Sequence, residues 1–144
     1  MPDPYEELPD SAAGAGSIIV VCATDAPLLP HQCRRLAQRA SLGIARTGGG
    51  GEHSSGDILI AFSTADQGLP PSDVEDDSEP VTVPVTMFVD SHINPLYHAT
   101  IEATEAAIVN ALLAAETTTG RRGVTAYGLE PDLLLEAMSR FAAG

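Results

Sequence analysis

Two short apolar runs constrain the fold of this chain more than any other feature. Residues 17–24 (SIIVVCAT) and 57–63 (DILIAFS) are continuously apolar and rich in β-branched side chains. A strand with one wet face alternates polar and apolar residues, so a strand that does not alternate reads as buried on both faces. Between the runs, Asp25 to Pro30 supplies a turn. Leu29, Cys33, Leu36, Ala37, Ala40 and Ile44 then recur at helical spacing, with Arg34, Arg35 and Arg39 elsewhere on the cylinder. This predicts an amphipathic helix over 29–46 that stops at Thr47 and the glycines Gly48 to Gly51.

Further along, Val and Thr alternate around Pro84 over residues 81–89. Proline cannot donate to a ladder, which predicts an edge strand there. Asn94 before Pro95 reads as an N-cap followed by a first-turn proline. Tyr97, Ile101, Ile108 and Leu112 mark one face of a long helix ending near Glu116. After Gly120 and the Arg121–Arg122 pair, residues 124–128 fit a short strand. Pro131 opens a last helix carrying Leu133, Leu134, Ala137, Met138 and Phe141. The order β-α-β-β-α-(β)-α without internal repeat predicts an α/β architecture of helices layered on a sheet.

At 144 residues and 14.9 kDa the chain has the length of one domain and is long enough to bury a sizeable core. Its 7 Lys+Arg against 20 Asp+Glu, a net charge of −13, argue against nucleic acid or anionic membrane as partners, because phosphate affinity needs cations. Half of the acids sit in two Pro-rich segments without a base, residues 1–10 and 66–79. Those read as a solvated leader and an acidic loop over 65–80. Cys22 and Cys33 are too few for a disulfide framework and lack C-x-x-C spacing, so they read as ordinary thiols of a reducing compartment. No run approaches the length of a membrane span and the acidic start is unlike a signal peptide, which predicts a cytoplasmic protein.

The junction Gly16-Ser17-Ile18 is the most informative for chemistry. A serine opening an apolar strand after a glycine has the local makeup for self-cleavage to an amino-terminal nucleophile. The hydroxyl attacks the preceding carbonyl, the acyl group moves from nitrogen to oxygen, and water releases the ester. Glycine, without a Cβ, leaves that carbonyl open. The exposed α-amine, with a reference pKa of about 7.7–8.0, would then accept the serine proton. From composition alone, Gly-Ser before a strand is usually just a turn.

Residues 16–32 (GSIIVVCATDAPLLPHQ), followed by an Arg-rich helix, resemble the carboxy-terminal part of the DmpA-type peptidases, the L-aminopeptidase/D-esterase and β-peptidyl aminopeptidase enzymes. So do Arg46-Thr47-Gly48, Ser55-Gly56-Asp57-Ile58, residues 61–65 (AFSTA), Asn94 to Tyr97, residues 99–108 and Asn110 to Leu112. The resemblance spans about residues 16–116. It implies a four-layer α/β/β/α sandwich with amino-terminal-nucleophile-like chemistry, made by a precursor that cuts itself between Gly16 and Ser17. Residues 1–16 are then a leader, and 17–144 the β-chain-like part of the peptidase domain. Ser17 would be the nucleophile that forms an acyl-enzyme with peptide, amide or ester substrates. Ser55 matches the family's second serine, and Asp57 falls where an acid supports it. That acid is Glu in the β-peptide-cleaving branch, so Asp57 has a shorter arm.

In the family an α portion precedes the nucleophile and supplies substrate-pocket and oxyanion groups, whereas here Met1 precedes Ser17 by sixteen residues. The chain alone is therefore expected to be inactive and either to aggregate, to pair with a separately encoded α-type chain in a homo-oligomer of αβ units, or to be a fragment. The alternative is a non-catalytic fragment or partner subunit that only binds such a chain. An acyl-transfer relative on the same architecture would use threonine, against Ser17. His31, His53, His92 and His98 lack metal-ligand spacing. Gly48 to Gly51 lacks the following Lys-Ser/Thr of a P-loop and reads as a flexible connection near the active site. Glu102 and Glu105 read as a solvated helix face. No cofactor or metal is expected.

Overall fold

The computed structural model describes residues 16–70 and 82–142. Both apolar runs form strands, β1 (Ile19–Thr24) and β2 (Ile58–Ser63), paired in parallel with Ile19 opposite Ile58 and Thr24 opposite Ser63. Parallel neighbours need a crossover, which α1 (Pro30–Arg46) and the glycine run supply. Pro30 occupies the first helical position, where a missing N–H costs nothing. Leu29 caps the helix without a polar side chain, and Gln32 compensates by accepting the Leu29 N–H on its Oε1 at 3.0 Å. The expected apolar face is the buried one: Cys33, Leu36, Ala37 and Ala40, with Gly43.

α2 (Asn94–Ala114) packs across α1. Its N-cap is Ile93 rather than the expected Asn94, which already lies inside the helix and makes no capping bond. A 3₁₀ turn at Asp90–His92 delivers Ile93 in a helical conformation. Burying that isoleucine to 2% exposure in the core moves the helix start back by one residue. Where the helices cross, a Cβ on Gly43 would stand 2.6 Å from the Ile101 carbonyl oxygen and 2.7 Å from Thr104 Cβ. Glycine is therefore what sets the interhelical distance. The neighbouring Thr100 and Thr104 are buried, their hydroxyls satisfied by donation to the Leu96 and Thr100 carbonyls at 2.8 Å.

The core is small: Leu28, Cys33, Leu36, Ile93 and Tyr97, edged by Ala61 and Phe88. Gln32 is wholly buried beside it, and its Nε2 donates to the Phe88 carbonyl at 2.8 Å and to Asp90 Oδ1 at 2.6 Å. These bonds hold the segment that was expected to be an edge strand. Residues 82–89 form no ladder; the segment is tied instead by Phe88 N–H to the Pro27 carbonyl at 2.7 Å and Thr86 N–H to Asp66 Oδ1 at 3.0 Å. Pro84 removes one donor, and the bonds that are made lead to the loops before α1 and after β2, not to a strand edge.

α1 covers one face of the β1–β2 pair, and each strand accordingly alternates between half-buried and exposed positions. Val20, Cys22, Leu59 and Ala61 lie on the covered face. Ile19, Val21, Ile58, Ile60 and Phe62 lie on the other and are 45–70% exposed. The expectation of strands buried on both faces is thus met on one face only, because the described residues supply a single covering layer.

Beyond α2, β3 (Thr118–Thr119) and β4 (Thr125–Ala126) form a two-residue antiparallel pair, the second within the expected strand at 124–128. α3 (Pro131–Ala142) follows where Pro131 predicts it, and Leu133, Leu135 and Met138 are exposed on it. The observed order is β-α-β-α-β-β-α. Of the two acidic segments, residues 1–15 and 71–81 lie outside the described residues. Both cysteines are free, and burial pushes both thiols above their usual pKa, with a backbone hydrogen bond at Ser63 opposing this at Cys33. Among the described residues no helix is long and apolar enough to cross a membrane.

Candidate active site

Parallel pairing places the residues just before β1 and β2 at the same end of the sheet. The Ile58 N–H donates to the Ile18 carbonyl at 2.9 Å, so 16–18 and 55–57 run side by side. A turn closed by Ser55 N–H to the Glu52 carbonyl, 2.9 Å, steers the chain out of the glycine run into β2. Three polar contacts follow. Gly56 N–H donates to Ser17 Oγ at 2.9 Å, Ile18 N–H donates to Asp57 Oδ1 at 3.1 Å, and the Ser55 hydroxyl donates to the same Oδ1 at 2.5 Å.

Ser17, Ser55 and Asp57 therefore come together. The carboxylate, however, bridges Ser55 to the backbone one residue beyond Ser17 and makes no bond with the Ser17 hydroxyl. Bonds to an ionised acceptor are among the stronger ones a site can use. Asp57 thus fixes where the Ser17 backbone stands relative to Ser55. Ser17 and Asp57 are exposed and Ser55 is half-buried.

These residues line a cleft of about 380 Å³ together with a wall made of Gly48 to Gly51, Ile44 and Glu52. Gly48 (φ 98°) and Gly51 (φ 67°) take left-handed conformations that favour glycine, and the run bends back over the end of α1. This wall is the carboxyl end of a helix, the negative end of its dipole, where a phosphate would be repelled. The reading of the glycines as a connection beside the site, not a P-loop, agrees with that geometry. Among the described residues the cleft wall carries Glu52 and Asp57 and no Lys, Arg or His.

A larger cavity of about 780 Å³ lies along the free side of β2, lined by Leu28, Cys33, Ala61, Phe62, Leu69 and Val85. It is mostly apolar and contains none of the three polar residues, so size does not mark the chemistry here. His31, His53, His92 and His98 are all exposed, on separate elements or loops. Among the described residues no group of three or more His, Cys, Asp and Glu is placed to hold a metal ion. Glu105 pairs with Arg46 at 2.9 Å, joining α2 to the end of α1, while Glu102 is solvated.

Sequence reasoning gave Glu52, Ile44 and Gly56 no part in the site. The first two enter the cleft through the path of the glycine run. Gly56 is found only once the strands are known to be parallel and in register.

The fold and the cleft define an α/β protein with a hydroxyl–carboxylate cluster at one end of its sheet, beside the Gly16–Ser17 peptide. The chain belongs to peptidase family S58, whose sequence profile matches residues 3–126. It is 45% identical over 135 residues to the β-peptidyl aminopeptidase BapA of Sphingosinicella microcystinivorans, covering 92% of this chain and 33% of that protein. Among solved structures it is similar to a β-aminopeptidase from Burkholderia sp., with 51% identity and a TM-score of 0.78 over 88% of this chain and 35% of the other. It is also similar to the L-aminopeptidase D-Ala-esterase/amidase of Ochrobactrum anthropi, described as a prototype for the serine aminopeptidases and a variant among the Ntn hydrolase fold. That likeness has 40% identity and a TM-score of 0.75, over 88% of this chain and 34% of the other. The resemblance to the DmpA-type peptidases is thereby borne out, and the chain spans about a third of the length of these relatives.

Proposed function

We propose that this chain is the nucleophile-bearing part of a serine aminopeptidase, a hydrolase of peptides and amino-acid amides and esters that is activated by cutting itself between Gly16 and Ser17. The observation that carries this reading is the convergence of the Ser17 hydroxyl, the Gly16–Ser17 peptide and the Ser55–Asp57 pair in one cleft. In the self-cleavage, Ser17 Oγ bonds to the Gly16 carbonyl carbon and the C–N bond to Ser17 breaks. The hydroxyl proton ends on the Ser17 nitrogen. Water then hydrolyses the ester, leaving a carboxylate at Gly16 and a free amine and hydroxyl at Ser17.

In turnover that amine takes the Oγ proton as Oγ attacks a substrate carbonyl, and returns it to the departing amine. Water releases the acyl group by the same route in reverse. Asp57 holds the backbone at Ile18 and orients the Ser55 hydroxyl, keeping both serines in register. The carboxylates of the wall, with no cation opposite them, suit a substrate that arrives with a free ammonium group.

The exposed apolar side of the β1–β2 pair supports a companion layer. An α-type chain with a second sheet would cover Ile19, Val21, Ile60 and Phe62, complete a four-layer α/β/β/α sandwich and contribute oxyanion donors. Such αβ units would assemble into a homo-oligomer. The test is hydrolysis of an alanine anilide by the chain produced together with an S58 α portion. The reading expects activity that is lost in Ser17→Ala; no hydrolysis by the pair would favour a non-catalytic partner subunit instead.

A further inference from the structure

The Ser17 Oγ has one hydrogen-bond donor among the described residues, and it is neither the second serine nor the acid. The Ser55 hydroxyl is committed to Asp57 Oδ1, and a carboxylate oriented at Oγ would oppose negative charge there. The donor is the backbone N–H of Gly56, 2.9 Å away. It is held rigidly, because Asp57 on its C-terminal side is tied to Ile18 and the next residue, Ile58, begins the ladder with β1. Building on the Ser17 reading, we infer that the Gly56 N–H is a further catalytic group, which stabilises negative charge on the nucleophile's own oxygen.

The chemistry puts charge on that oxygen at two moments. Oγ gains alkoxide character as it gives up its proton and bonds to a carbonyl carbon. It gains it again when water has attacked the ester, the Oγ–C bond breaks, and Oγ leaves before its proton returns. A hydrogen bond to an ionised oxygen is roughly twice as strong as one to a neutral hydroxyl. The bond is therefore stronger in each transition state than in the ground state, which is the condition for accelerating a step instead of only binding. An oxyanion hole holds the carbonyl oxygen of the substrate. This donor holds the other oxygen of the same tetrahedral centre, so it acts alongside such a hole. In the uncut chain it also fixes Oγ beside the peptide that is to be cleaved.

Every amino acid but proline has the N–H, so the test removes the donor while keeping the shape. Glycolic acid in place of Gly56 turns the amide into an ester. The same exchange at Gly68, in the exposed loop after β2 and outside the cleft, is the control. In the chain produced with the α portion, intact mass is followed over time for loss of residues 1–16, and kcat and KM are measured on the mature protein. The Gly56 exchange is expected to slow self-cleavage and lower kcat by at least about tenfold, below the roughly 10²–10³ of a full oxyanion donor, with KM little changed. The Gly68 exchange cleaves normally. Equal rates for the two exchanges overturn the inference and leave the Ser17 nucleophile standing. If the unmodified protein keeps residues 1–16 just as Ser17→Ala does, the nucleophile reading itself fails, and the role of Gly56 falls with it.

Discussion

Asp57 takes its hydrogen bonds from the Ile18 backbone and the Ser55 hydroxyl, so what it orders is geometry more than proton transfer. Asp57→Asn keeps an oxygen acceptor and loses the charge that strengthens both bonds. The expected result is self-cleavage slowed by about tenfold with the fold retained, read by intact mass and circular dichroism. Gln32 shows the same logic in the core. It is wholly buried and satisfies Leu29 N–H, the Phe88 carbonyl and Asp90 together. Gln32→Leu leaves the half-buried Leu29 N–H and Phe88 carbonyl without this partner and is expected to cost about 1–3 kcal/mol in chemical denaturation of the protein. At this scale the resemblance named Ser17, Ser55 and Asp57, and the structure brings the three together. The Gly56 contact was not legible, since a backbone N–H leaves no mark in a sequence.

The elements that were legible are those with strong periodicity or long apolar runs: β1, β2, α1 and α2. Their ends were less so. Ile93 displaced Asn94 as the cap because core burial outweighed a polar capping preference, a tertiary effect that local pattern does not contain. Residues 82–89 have strand-like composition, but their bonds go to Pro27, Gln32 and Asp66. Strand composition describes a pleated surface, and a ladder also requires a neighbour in register. The α1–α2 crossing rests on Gly43, where an added Cβ meets the Ile101 backbone. Gly43→Ala gains helix propensity yet must push the helices apart. A net loss of about 1–3 kcal/mol is expected, seen as a lower midpoint in thermal unfolding.

For the whole molecule the decisive feature is a sheet that the described residues cover on one side. The uninterrupted apolar runs implied two covering layers, and the described residues provide one, in a chain about a third as long as its relatives. The apolar runs thus carry a covering requirement that the described residues meet on one face only. Contiguous exposed apolar surface of this kind marks an interface. On its own the chain is expected to self-associate in gel filtration. Val21→Glu with Ile60→Lys, opposite each other across the pair, should reduce that self-association and weaken pairing with an α portion.

The central claim is that Ser17 becomes the amino terminus of the working enzyme. Intact mass spectrometry of the chain produced with an S58 α portion tests it directly. The account predicts a species lacking residues 1–16 in the wild type and none in Ser17→Ala. A wild-type chain that stays whole while the pair hydrolyses an alanine anilide would contradict it.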